Sequence, residues 1–285
     1  MATVAERLAD ARRRLEAAGI PAVDAALDAE VLARHTLGWD RAALLARQRD
    51  REPAGFGERF APLLSRRIER EPVAKIIGVR EFWDRDFEVT PDVLVPRPET
   101  EFIVEEALAF ARNGGCRTVI DVGTGSGCLA VTIACELPDI HVVATDLSDA
   151  ALAVAVRNAH RHGVADRITF TRADVLSDVG VVAELIVSNP PYVPESEAAG
   201  MQPEVVRYEP HAAVFGGPTG LDVIGKLLMQ APRCLAPHGR LVVEFGFGQA
   251  PRVSQLAEET GWRVERIRDD LQGIPRTVVL SRASA

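Results

Sequence analysis

From residue 117 onward, short apolar runs alternate with stretches whose apolar residues recur every three or four positions. Residues 119–122, 141–145, 167–171 and 183–188 predict buried parallel strands, while 128–137 and 149–162 predict helices. Ser148 is placed to cap the second of these helices, and Gly163 stops it. Such alternation implies an α/β fold, a parallel sheet with helices on both faces. Farther on, residues 221–235 and 249–260 predict helices, and residues 239–245, 262–268 and 276–280 predict strands. The expected sheet therefore has seven strands, mostly parallel.

Ahead of this region the period is helical. Thr3 and Glu6 have capping-box spacing, and Val4, Leu8, Ala11 and Leu15 continue at helical intervals until Gly19. A second helix spans 24–37, Asp40 can start a short third, and 53–70 gives a fourth before Pro72. Residues 1–72 thus predict a small helical bundle. In residues 75–79 and 82–89 the pattern turns strand-like, which predicts a β-hairpin linker within 73–96. Pro91, Pro96 and Pro98 stiffen the entry into a domain covering 97–285. Arginines on the bundle, such as Arg12, Arg13, Arg66 and Arg67, are matched by acids and read as a solvated face.

Composition narrows the class. No apolar run approaches the roughly 20 residues a membrane span needs, and residues 1–19 hold no apolar signal core, so a cytoplasmic protein is expected. Cys116, Cys128, Cys135 and Cys234 form no Cys-x-x-Cys pair and read as buried reduced thiols. His160 and His162 have no carboxylate or thiol at ligand spacing, so no metal is expected. The net charge is −8; residues 1–90 carry 16 basic and 16 acidic residues, residues 91–285 carry 17 and 25. An acidic second half works against phosphate neutralisation, so direct nucleic-acid binding is not expected and a protein substrate fits better.

Candidate chemistry collects where the predicted strands end, the place where open α/β sheets bind ligands. The first strand carries Asp121 and is followed by Gly123, Thr124, Gly125, Ser126 and Gly127, a loop that lets backbone approach a ligand at a helix N-terminus. The second strand ends at Asp146, suited to ribose hydroxyls, and the third is followed by Asp174 and Val175, an acid and an amide suited to an adenine edge. Nicotinamide and adenosylmethionine enzymes share such features, and residues 125–130 also satisfy a dinucleotide fingerprint ending in alanine. The fourth strand delivers Asn189-Pro190-Pro191-Tyr192. Two prolines stiffen the turn. The Asn189 side chain and the Pro190 carbonyl could then take both hydrogens of a planar N–H2 group and aim its lone pair. An NAD-dependent oxidoreductase would leave this tetrapeptide unexplained.

An acid after the second and third strands, then Asn-Pro-Pro-Tyr, resembles a class I S-adenosylmethionine-dependent methyltransferase with a Rossmann-like sheet. The segments 78–83 (Gly-Val-Arg-Glu-Phe-Trp), 94–101 (Leu-Val-Pro-Arg-Pro-Glu-Thr-Glu), 187–192, 207–210 (Arg-Tyr-Glu-Pro) and 220–222 (Gly-Leu-Asp) narrow the resemblance to the HemK/PrmC family over essentially the whole chain. Members are peptide chain release factor N5-glutamine methyltransferases acting on the Gln of a Gly-Gly-Gln motif. The resemblance implies S-adenosylmethionine as cofactor, S-adenosylhomocysteine as product, class I release factors as substrate and an antiparallel last strand. Asn189 and Pro190 would be catalytic, with Pro191 fixing the turn and Tyr192 a flat wall against the amide. Asp121, residues 123–127, Asp146, Asp174, Val175 and Asn189 would hold the cofactor. The resemblance places Arg97, Glu99 and Thr100 near its methionine end; read as residues alone, Thr100 is a helix cap and Arg97 a surface ion-pair partner. The bundle would help recognise the release factor, and residues 193–220, with Glu204, Arg207, Tyr208 and Glu209, could line the substrate channel. Thr219 stands where many members have Asp. The competing substrate for the same turn is the amino group of an adenine or guanine in RNA or DNA.

Overall fold

The computed structural model describes residues 2–112 and 114–283. The chain divides into two units, residues 1–79 with 202–208, and residues 80–201 with 209–285.

The first unit contains α1 (Val4–Ala17), α2 (Ala22–Leu37), α3 (Arg41–Arg47), α4 (Phe56–Ile68) and α5 (Val73–Ile77). Thr3 Oγ1 accepts the N–H of Glu6 at 3.2 Å, and Glu6 returns a carboxylate to the N–H of Thr3 at 2.8 Å, so both sides of the capping box form. Val4, Leu15, Leu32, Phe56, Phe60 and Leu64 fill the core, with the two phenyl rings stacked 5.2 Å apart. Residues 75–77 are helical, not strand-like. Ala74 and Ile76 are buried as a single helical turn, Val73 and Ile77 pack on the bundle core, and Gly78 at φ 76° ends it. A short apolar run carries too little periodicity to separate these states.

The hairpin β1 (Val79–Phe82) and β2 (Arg85–Glu88), in the second unit from Arg80 onward, turns through Trp83 and Asp84, both at positive φ, and sends Phe82 and Phe87 into the core. Then follow α6 (Glu101–Arg112), β3 (Thr118–Val122), α7 (Cys128–Glu136), β4 (His141–Asp146), α8 (Asp149–Arg161), β5 (Ile168–Arg172) and β6 (Ala183–Ser188). The long segment after β6 forms α9 (Pro203–Tyr208), which belongs to the first unit, and α10 (His211–Val214). The chain ends with α11 (Asp222–Gln230), β7 (Leu235–Glu244), α12 (Ala250–Glu259), β8 (Trp262–Asp269) and β9 (Pro275–Arg282). The predicted helix over 221–235 thus stops five residues early, and β7 starts four residues before its expected position.

The seven-stranded sheet has the order β5-β4-β3-β6-β7-β9-β8, parallel except that β9 runs antiparallel between β7 and β8. This is the class I methyltransferase fold expected from the sequence. Alternate strand residues feed two cores. Val119, Val142, Leu185 and Val187 pack with α6 and α7, whereas Ile120, Val143, Ile186 and Leu241 pack with α11 and α12. Burial on both faces is why the strands read as unbroken apolar runs. Of the four thiols only Cys234 is fully buried; Cys116, Cys128 and Cys135 are partly exposed, all unpaired. Among the described residues no helix is long and apolar enough to cross a membrane, and no three His, Cys, Asp or Glu side chains gather as a metal site.

Candidate active site

Register brings the carboxyl ends of five parallel strands to one level: Val122 pairs with Thr145 and with Ser188, Asp146 with Arg172, and Ser188 with Val243. The glycine loop, Asp146, Asp174, Val175 and residues 189–192 stand at or just beyond that line.

The glycine loop is built around Asp121, which is fully buried. Its Oδ2 accepts the Thr124 hydroxyl at 2.7 Å and the Ala130 N–H at 3.1 Å, tying the end of β3 to the first turn of α7. Its Oδ1 has no partner among the described residues. Burial raises this carboxyl to about 7 against the pull of both hydrogen bonds, and the nearby charge of Asp146 adds to the rise. Gly127 sits at φ 81°, where a Cβ would also stand 3.0 Å from that of Ala155. Asn158, fully buried on α8, donates to the carbonyl of Ser126 at 2.8 Å and holds the loop from behind.

Asp146 Oδ2 accepts the N–H of Gly125 at 2.9 Å, and its Oδ1 accepts that of Ser148 at 2.9 Å. One carboxylate therefore shapes the glycine loop and the start of α8 while still lining the cleft. Val175 adopts φ 62°, a costly conformation for a β-branched residue, and its carbonyl accepts from Thr145 at 3.1 Å. Beside it Asp174 forms an ion pair with Lys226 of α11.

Asn189 leaves the end of β6 with its Nδ2 donating to Thr100 Oγ1 at 2.8 Å. Thr100, at 2% exposure, in turn donates to Glu244 Oε2 at 2.8 Å. Tyr192 donates its hydroxyl to Glu244 Oε1 at 3.3 Å. Burial raises Glu244, the last residue of β7, to about 7, and raises the Tyr192 hydroxyl as well. With Nδ2 committed to Thr100, Asn189 Oδ1 is left without a donor among the described residues, and so is the Pro190 carbonyl. Tyr192 is half-buried, packs against the α11 and α12 side of the sheet, and is not among the residues lining the cleft. Arg97 lines the cleft and pairs with Glu209 at 3.3 Å.

The cleft has a volume of about 390 Å³. Residues 123–126, Asp146, Asp174, Val175, Asn189, Pro190 and Pro191 all border it, within the second unit. Gly127 and Asp121 stand just behind it. Of the long segment's candidates, Glu204 accepts from Arg67 and Arg70, and Tyr208 donates to the Glu69 carbonyl at 2.9 Å, contacts within the first unit. Three residues matter more than their sequence pattern suggested. Glu244 is signalled only as a lone charge closing the run Leu-Val-Val-Glu, and Asn158 as an amide on the apolar face of α8. Thr100 gives no such signal, because its partners lie 89 and 144 residues away.

Residues 6–78 match the PrmC N-terminal domain family, and residues 101–207 match the methyltransferase small domain family. The chain is 45% identical to a release factor glutamine methyltransferase of Cereibacter sphaeroides, over 95% of this chain and 97% of the relative. It is 42% identical to one from Nitratidesulfovibrio vulgaris, over 99% and 96%. Among solved structures, a ribosomal protein L11 methylase from Lactobacillus delbrueckii subsp. bulgaricus shares the fold at TM-score 0.51 and 23% identity, over 66% of this chain and 81% of that one. A methyltransferase from Pyrococcus furiosus does so at TM-score 0.52 and 19% identity, over 80% and 100%. With near-complete coverage at this level of identity, the chain belongs to the release factor glutamine methyltransferase family.

Proposed function

We propose that the cleft binds S-adenosylmethionine and that the protein methylates the side-chain amide nitrogen of the glutamine in the Gly-Gly-Gln motif of class I release factors. The residues present suit this cofactor. A buried, unpartnered carboxylate oxygen on Asp121, just behind the cleft, would accept from the loop as it closes over the cofactor. Gly123, Gly125 and Gly127 offer backbone at positive φ, Asp146 retains lone pairs for ribose hydroxyls, and Asp174 with Val175 would meet the adenine. The bound cofactor would supply a methyl group on a positively charged sulfur, which leaves as a neutral thioether.

The chain's own task is then to present nitrogen. An amide nitrogen is a poor nucleophile because its lone pair is delocalised into the carbonyl. Asn189 Oδ1 and the Pro190 carbonyl would accept its two N–H groups and turn the lone pair toward the cleft, positioning with preorganised dipoles. Once methylated the nitrogen is strongly acidic and can lose its proton to water, so no general base is needed. The observation that carries this reading is the pair of acceptors at Asn189 and Pro190, left without donors beside a cleft of cofactor size.

An adenine amino group offers the same two hydrogens. Family membership and the acidic balance of residues 91–285 favour the protein substrate, and the proposed location is the cytoplasm, where release factors work. Methyl-labelled cofactor, offered together with a class I release factor and with ribosomal RNA, tests the choice. Label in the factor alone is expected; label in the RNA alone would overturn it.

A further inference from the structure

The register between β6 and β7 closes with Ser188 opposite Val243, so Asn189 and Glu244 leave adjacent strands side by side. Thr100, entering from the turn before α6, bridges them with 2.8 Å contacts on both sides. All the functional reading asks of Asn189 is that its oxygen, not its nitrogen, face the substrate. Nothing intrinsic to a primary amide decides this, because its two ends have nearly the same shape.

We propose that Glu244, acting through Thr100, is the positioning residue that sets which end of the Asn189 amide faces the cleft. The inference rests on the methyl-transfer reading above. A hydroxyl has one proton to give. An ionised Glu244 can only accept, so Thr100 must spend its proton on Glu244 and can only accept from Asn189. The amide NH2 is thereby drawn to Thr100, and Oδ1 turns outward. When Glu244 takes a proton from solvent it can donate to Thr100 Oγ1. Thr100 can then donate to Asn189 Oδ1, and the amide swings its NH2 outward, against the N–H groups of the substrate. Two donors then meet, and the nitrogen lone pair is no longer aimed.

The groups facing Glu244 come from several elements. Thr100 and Tyr192 donate to it, Glu99 opposes its ionisation, Arg276 of β9 favours it, and Cys128 of α7 senses its charge. Burial outweighs them and puts the proton exchange near neutrality. Tyr192 and Cys128 are themselves pushed upward by burial, so both stay protonated through that range. Asp121 exchanges its proton in the same range, so the effect must be assigned by substitution and not by its midpoint.

The test is the pH dependence of glutamine methylation by the full chain, with labelled S-adenosylmethionine and a class I release factor. Wild type should lose kcat on the acid side of neutrality, with KM little changed. Glu244→Gln and Thr100→Val should each lower kcat by about tenfold or more and lose that acid limb, because the amide no longer has a charge-dependent preference. Both should bind S-adenosylmethionine as wild type does, which shows an intact cleft. Thr100→Ser, which returns the hydroxyl, should recover both rate and limb. If Glu244→Gln and Thr100→Val transfer at the wild-type rate with the wild-type pH profile, or if serine fails to rescue, the positioning role is wrong while the function stands. If wild type itself leaves the glutamine unmodified, both fall.

Discussion

A Cβ at Gly216 would stand 2.4 Å from the carbonyl oxygen of Pro191, closer than any side-chain carbon can approach backbone. The segment leading to α11 therefore lies directly on the Asn-Pro-Pro-Tyr turn, and only glycine fits there. Gly216→Ala should destabilise the protein by about 1–3 kcal/mol and displace the turn, so methyl transfer falls as well. Gly225→Ala is the control, since its Cβ would meet only the flexible end of Leu256 at 3.5 Å. Denaturant unfolding and turnover of the two variants, compared side by side, measure the difference.

Asn189→Ala removes the side-chain acceptor while sparing the glycine loop, Asp146 and Asp174. Its affinity for S-adenosylmethionine should stay within a few-fold of wild type, whereas transfer should drop by about 10²–10³. Titration calorimetry with single-turnover transfer separates the two effects. Transfer at the wild-type rate would remove Asn189 from the chemistry.

Much of this site is legible in the sequence because its parts are local. Asp146 and Asn189 each close an apolar run and Asp121 stands one residue before the end of another, and a parallel sheet carries every such end to one edge without any long-range rule being needed. What pairs across the fold is harder to see. Thr100 has the spacing of a helix cap, and only in three dimensions does its hydroxyl turn away to Glu244 and Asn189. Residues 73–77 form a helical turn because the bundle core, not their own brief pattern, decides their state. Val175 at φ 62° is invisible in the same way, since a β-branched residue is the last choice for that conformation.

In the bundle, Arg67 is almost wholly buried and pairs with Asp28 at 2.7 Å and Glu204 at 2.9 Å. Burial already raises the Asp28 carboxyl. Arg67→Met keeps most of the volume but strands the Asp28 carboxylate and leaves Glu204 to Arg70 alone, so it should cost about 3–5 kcal/mol. Replacing Arg67 and Asp28 together by apolar residues should cost less, since Glu204 keeps Arg70, a comparison that thermal unfolding of the two variants provides.

Asp121 makes stability depend on pH in a definite direction. Its folded value, about 7, lies above its ordinary 3.8, so the folded state binds the proton more tightly. The contribution is full below the ordinary value and is lost as pH rises through about 7, on the order of a few kcal/mol. Asp121→Asn carries no such proton and should flatten that part of the cofactor-free stability profile. An unchanged profile would mean that the carboxyl is better solvated than its burial implies.

The central claim is that two acceptors at the end of β6 hold a glutamine amide for methylation. The most direct measurement digests a class I release factor after reaction with methyl-labelled S-adenosylmethionine and locates the label by peptide mass spectrometry. A single methyl on the side-chain nitrogen of the Gly-Gly-Gln glutamine, absent when that glutamine is replaced by alanine, is the predicted result. Label that persists after the replacement, or that sits on any other residue, would contradict it.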